Sequence, residues 1–269
     1  MENLVKSDIP AFRMFGNIYF VGSRKVSVHV LKTEVGLVMI DTGYPDMYEQ
    51  ILDSMHSVGL DEKDICAIFH SHGHIDHFGC TNRLKAVSGA KTYISRIDND
   101  LANGTLDLSW AKELNYPKEI VQCDYLIEDG EIFTFGSTSI RCRLTPGHTE
   151  GVLSFFIPTC ENGETIIAAM HGGVGVNSMK SAFLTRNNLS FACRDHFREG
   201  LYALSEEKVD LVLGNHPGQT NTEGKLAAVS EGRSIIDPQE WKVFLKQCEQ
   251  RLDNMILSER QEHQNNTVK

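Results

Sequence analysis

The run His70-Ser71-His72-Gly73-His74-Ile75-Asp76-His77 constrains this chain more than any other stretch. It follows an apolar run, Ile65–Phe69, that reads as a buried strand, and it precedes a helix expected over Phe78–Val87. A loop held at a strand's end can present His72, His74, Asp76 and His77 from several directions at once. Imidazoles and a carboxylate are borderline ligands that suit zinc and its neighbours and need no thiolate. Four such groups within six residues exceed what one tetrahedral ion with an open position can use, which makes two ions close together plausible. The plain alternative is a solvated polar loop, and this density of histidine at a strand end argues against it.

Two further histidines sit in tight loops at expected strand ends. His148 lies in Thr145-Pro146-Gly147-His148-Thr149, and His216 in Gly214-Asn215-His216-Pro217-Gly218, after the run Val209–Leu213. Eleven histidines in 269 residues is a high count, and these loops hold much of it. Acidic residues exceed basic ones by 36 to 26, a formal charge of −10, so neither nucleic acid nor an anionic membrane surface is an expected partner. No window approaches eighteen uninterrupted apolar residues, and the first residues lack the apolar core of a signal peptide. The seven cysteines are odd in number and scattered, without a C-x-x-C, which argues for reduced thiols and a cytoplasmic location.

Strands are expected at Asn17–Gly22, Val26–Lys32, Gly36–Ile40, Lys91–Ser95, Glu131–Phe135, Ser139–Leu144, Val152–Ile157 and Thr165–Met170. Helices are expected over Pro45–Ser57 and Cys193–Leu204, with a last one opened by Asp237-Pro238. The segment Ile97–Glu128 is poorly periodic and reads as one or two short helices with a surface excursion. Two sheets with helices outside, in one domain over residues 1–257, fit this alternation, and the polar tail 258–269 is expected to fray.

Taken together, His72-Gly73-His74-Ile75-Asp76-His77, Pro146-Gly147-His148-Thr149, the late His216 and the upstream Asp41-Thr42-Gly43 resemble the metallo-β-lactamase superfamily, over about Asn17–Gln219. The resemblance implies an αββα sandwich of two mixed β-sheets with a metal cleft at one edge of the sheets. It implies His72, His74 and His148 on a first metal and Asp76, His77 and His216 on a second, with Asp41 supporting the loop through hydrogen bonds. Most hydrolases of the superfamily place a metal-bridging Asp after the strand corresponding to Thr165–Met170, and His171 stands there instead. An imidazole cannot bridge two cations as a carboxylate does. The missing Asp, together with the lack of a ligating Cys, is similar to the third subclass of metallo-β-lactamases. His171 is then first a supporting or pocket-lining group, with a substrate-facing donor or an extra ligand at the second site as alternatives. Asn177, Arg186 and Asn187 fall in the expected cleft loop, where they could meet a substrate carboxylate. His29 is read as outward on its strand, His56 and His196 as helix surface, His263 as tail, His70 as support for the loop, and Cys80 as a packed thiol.

The expected chemistry is hydrolysis of a small-molecule substrate by a hydroxide held between two zinc ions and positioned by Asp76, with iron or manganese as alternatives to zinc. The resemblance points to a cyclic amide of the β-lactam type. An intracellular lactone or thioester hydrolase is the second reading, favoured by the lack of an export signal. A redox module of the same fold generally carries a carboxylate where His74 stands. The sequence assigns no oligomeric state.

Overall fold

β-Branched and aromatic runs pair into two sheets in this computed structural model, which describes residues 8–267. In the first sheet β1 (Phe12–Phe15), β2 (Ile18–Phe20), β3 (His29–Thr33), β4 (Gly36–Ile40), β5 (Ile65–Phe69), β6 (Lys91–Ser95) and β7 (Tyr125–Ile127) lie in chain order. The second sheet has the order β12 (Leu211–Gly214), β11 (Glu164–His171), β10 (Leu153–Glu161), β9 (Thr138–Leu144) and β8 (Ile132–Phe135). Both are mixed: β4, β5, β6 and β7 run parallel, as do β11 and β12, and the other pairs are antiparallel.

The sheets meet face to face through Val38, Ile40, Phe69, Phe155, Ile157 and Leu213, all buried. Phe69 stacks on Tyr93 with ring centroids 4.4 Å apart and meets Phe133 and Phe155 edge-on, so aromatic faces and edges fill the middle of the sandwich. The outer face of the first sheet is covered by α1 (Tyr48–Ser57) and α3 (Thr81–Ser88), whose Ile51, Met55 and Leu84 pack on Met39 and Ile68. The second sheet is covered by α6 (Cys193–Ser205) and α8 (Glu240–Thr267), through Phe197, Leu201, Trp241 and Phe244. The shorter helices α2 (Ile75–Phe78), α4 (Asn99–Ala102), α5 (Ser181–Arg186) and α7 (Thr222–Ser230) border the loops at the sheet ends. The result is the expected αββα sandwich. No helix of the described residues is long and apolar enough to cross a membrane.

The structure corrects four expectations. The helix over Phe78–Val87 is two pieces, because Gly79 donates its N–H to the Gly43 carbonyl and lies against Pro45, where a Cβ would come within 2.4 Å of the Pro45 nitrogen. A strand at Phe12–Phe15 precedes the one read at Asn17–Gly22, which shrinks to Ile18–Phe20. The tail does not fray at Ser258, since α8 continues to Thr267 and Glu259 accepts from the Ser181 N–H and hydroxyl (both 2.7 Å) and from Arg194 (2.8 Å). The last helix begins at Glu240, not at Pro238, and the Asp237 carboxylate accepts from Gln239 N–H just ahead of it.

His29 is not outward. It is 1% exposed and faces the core between the two sheets beside its strand partners Phe20 and Ile40, while α1 and α3 cover the opposite side, which carries Val28 and Val30. Burial, helped by the Lys225 charge and opposed by Asp41, pushes its imidazole down to about 4. In the unfolded chain it takes a proton near pH 6.5, so unfolding takes up a proton between these values. The stability contributed by a neutral His29 is therefore complete above about pH 6.5 and falls by up to about 3 kcal/mol as the pH drops to 4. Urea titrations across this range are expected to show at least that loss, since other buried imidazoles are lowered in the same way, and His29→Leu is expected to reduce the slope by the share of this one ring. An equally steep slope in the variant would assign the pH dependence elsewhere.

Candidate metal centre

Six strands, β4, β5, β6, β9, β11 and β12, end at one edge of the sandwich, and the turns that follow carry the candidate ligands. β4 stops at Asp41, which adopts the left-handed conformation (φ 61°) and donates its N–H to the Phe69 carbonyl at the end of β5. That turn sends the Asp41 side chain under the histidine run. One carboxylate oxygen accepts from Ser71 N–H (2.7 Å), and the other accepts from the Ser71 hydroxyl (2.7 Å) and from His77 Nδ1 (2.7 Å). Asp76 and His77 lie on the single helical turn α2, which aims both side chains back to the strand ends.

Partner chemistry settles the protonation of the imidazoles. A carbonyl or carboxylate only accepts, so His77 Nδ1 (to Asp41), His148 Nδ1 (to Gly175 O, 2.6 Å) and His216 Nδ1 (to Lys25 O, 2.6 Å) are N–H donors. The Ser71 hydroxyl proton is committed to Asp41, so its oxygen accepts from His72 Nδ1 at 3.1 Å. In their neutral forms these four rings are left with a lone pair on Nε2. His72 Nε2 and His74 Nδ1 stand 3.0 Å apart, close to the roughly 3.3 Å between two nitrogens on one tetrahedral ion at about 2.0–2.1 Å. His148 stacks edge-on against both rings, with centroids at 4.8 and 4.6 Å. On the other side His77 Nε2 is buried with no hydrogen-bond partner, 3.3 Å from Asp76 Oδ2, and His216 Nε2 is 3.5 Å from the same oxygen.

The residues present thus fit metal ions. Donor atoms of His72, His74 and His148 converge on one point and those of His72, Asp76 and His77 on another, with His72 within reach of both. Burial, then the neighbouring imidazoles, holds His72 and His74 well below the usual histidine range, and burial brings His148 down to about 4. Burial also lowers His77, but Asp76 and Asp41 outweigh it and push the ring up to about 10. The second subsite calls for positive charge, while the first offers free lone pairs.

His171 is buried at the end of β11, where Nδ1 accepts from Gly173 N–H (3.2 Å) and its ring faces Phe197. It is in neither ligand group. Asn177 is exposed, Arg186 pairs with Glu113 on the surface, and Asn187 donates to its own helix at Phe183. The neighbour of Asn177, Ser178, is the one that reaches the site, donating to the His148 carbonyl at 2.5 Å. The Gly-rich stretch gives the His148 ring its space, since a Cβ on Gly173 would stand 2.8 Å from that ring. His70 sits inside, bonded to Tyr93 O through its N–H, and Cys80 packs with its thiol on Tyr44 O.

Sequence reasoning passed over two residues in the poorly periodic middle segment. Asp98 is buried, and its carboxylate joins the two loops of the first ligand group. Oδ2 accepts from Gly73 N–H (2.8 Å) and the Thr149 hydroxyl (2.6 Å), and Oδ1 from Gly151 N–H (2.8 Å). Trp110 lies edge-on to His74 at 6.0 Å and stacks on Phe183 of α5 at 5.2 Å. Its left-handed backbone (φ 63°) is unusual for so bulky a residue. A tryptophan in an irregular segment was the available signal. Asp98 gave none, because its partners, two backbone N–H groups and the Thr149 hydroxyl, lie far along the chain.

Residues 21–161 match the metallo-beta-lactamase superfamily. The uncharacterized protein YobT of Bacillus subtilis is 28% identical over 173 residues, 61% of this chain and 72% of that one. A hydroxyacylglutathione hydrolase of Gloeobacter violaceus is 30% identical over 129 residues, 46% of this chain but only 42% of its own length. Among solved structures, BJP-1, a subclass B3 metallo-beta-lactamase of Bradyrhizobium japonicum, superposes with a TM-score of 0.87 at 24% identity, covering 96% of this chain and 98% of that one.

Asp98→Asn replaces one accepting oxygen with an NH₂ group that faces donors. The variant is expected to keep its circular dichroism and to bind zinc about 10- to 100-fold more weakly in competition with a chromogenic chelator. Unchanged affinity would show that Asp98 does not hold the ligand loops.

Proposed function

This chain belongs to the metallo-β-lactamase superfamily, and from that premise we propose that it is a zinc-dependent hydrolase acting on a cyclic amide of the β-lactam type. The observation that carries the reading is the meeting of two ligand groups around His72, with Asp76 between His77 and His216 and no carboxylate at the end of β11. Two zinc ions are assigned, one to His72, His74 and His148 and one to Asp76, His77 and His216. When bound, such a pair supplies a Lewis acid for the scissile carbonyl and acidifies water near neutral pH.

The chain's own residues orient and exclude. Asp76 is kept ionised, since His77, His216 and His74 outweigh the effect of its burial and hold its carboxyl far below the usual range. It accepts a hydrogen bond from the attacking water and fixes its direction towards the carbonyl. Asp41 holds His77 from behind, and the Gly175 and Lys25 carbonyls hold His148 and His216, so the ligand rings do not turn during turnover. His171 leaves the space between the two subsites without a bridging carboxylate.

A second reading, hydrolysis of a thioester or lactone, is favoured by the local identity to the hydroxyacylglutathione hydrolase. A chromogenic cephalosporin, an acyl-lactone and an acyl-glutathione, each assayed with and without chelator, separate the two. The cephalosporin is expected to turn over fastest, with activity lost to chelator and restored by zinc. Asp76→Ala is expected to lose at least about 100-fold in kcat/KM together with one equivalent of zinc. Full turnover by that variant with a single metal bound would sink the two-metal scheme.

A further inference from the structure

A cavity of about 340 Å³ opens directly against His74 and His148. Leu101, Leu106 and Leu108 line one side, and Phe183, Leu184 and Leu189 the other. The stacked pair Trp110 and Phe183 ties the two sides together next to His74. At the mouth Ile97 and Leu106 are 49% and 46% exposed, apolar side chains that folding leaves in water and that a ligand can cover.

No Lys or Arg lines the cavity, and its charged groups, Asp98 and Glu150, are both acidic. The Asp98 carboxylate is already used by Gly73, Thr149 and Gly151, and Glu150 faces His196 at 3.4 Å. An anionic arm lying in this cavity meets two carboxylates and no Lys or Arg, and leaves its own charge unpaired as it is desolvated. An apolar arm meets seven hydrophobic side chains. His74 and His148 belong to the same ligand group, so whatever fills the cavity is contiguous with a group held there.

We infer that the substrate carries an uncharged, apolar arm, alkyl or aryl, beside the bond that is cleaved, and that this cavity holds it against His74 and His148 while selecting against anionic arms such as that of glutathione. This rests on the hydrolase reading only in taking the metal centre as the site of reaction.

The test uses thiols, which bind a metal without being turned over. The full chain is loaded with cobalt(II), and the thiolate-to-cobalt absorption is followed with ethanethiol, butanethiol, hexanethiol and 6-mercaptohexanoate. Kd is expected to fall about three- to fourfold per methylene along the neutral series. The carboxylate-ended probe is expected to bind at least about tenfold more weakly than hexanethiol. Replacing the two exposed mouth residues, Ile97→Ser with Leu106→Ser, is expected to flatten the series and leave ethanethiol unchanged. A flat series in the unaltered protein, equal binding of the carboxylate-ended probe, or a slope indifferent to the double substitution would each overturn the inference. A steep series in a protein that hydrolyses none of the three substrate classes would instead overturn the hydrolase reading and leave the cavity's preference standing.

Discussion

Asp41 has its carboxylate inside the protein, and its two oxygens take hydrogen bonds from the Ser71 amide, the Ser71 hydroxyl and His77 Nδ1. Burying a carboxylate costs several kcal/mol, and charge-assisted bonds of this kind offset that cost only when all of them are made. The interaction therefore fixes three things together. It locks the end of β4 to the loop after β5, it dictates which nitrogen of His77 is left bare, and through Ser71 it does the same for His72. The rings of His148 and His216 are held on the same plan by backbone carbonyls from Gly175 and Lys25. Four of the candidate ligands, His72, His77, His148 and His216, come from loops far apart in the chain and are thus each oriented by a bond on the side away from the centre.

The histidine run was legible because ligand chemistry needs dense, specific residue types, and Ile65–Phe69 announced the strand that carries it. The sandwich was legible because strands covered on both faces read as unbroken apolar runs, as Gly36–Ile40 does. What escaped depends on contacts that are distant in sequence. Period-two alternation placed His29 outward because it assumes one wet face, and β3 has none. The apolar face of α8 ends near Ile256, and beyond it the helix is held by the bonds of Glu259 to Ser181 and Arg194, which no apolar pattern records. Asp98 binds backbone N–H groups that no residue pattern records. Loop polarity points to Asn177, whereas the hydroxyl that reaches His148 belongs to the next residue, Ser178.

Charge ties the site to its surroundings. The chain carries a formal −10, yet the first ligand group consists of neutral imidazoles and the second sets Asp76 and Asp41 around His77. The centre is arranged for cations, and the cavity beside it offers mainly apolar walls, with acidic groups but no Lys or Arg. On the proposed reading a substrate is oriented from two directions: its reacting carbonyl towards the metal subsites, and its apolar arm away from water.

Metal content, measured by elemental analysis on protein purified without added metal, tests the preset two-subsite centre most directly. The expected result is about two zinc ions per chain. A reproducible single ion that excess zinc cannot raise, or iron in place of zinc, would contradict it.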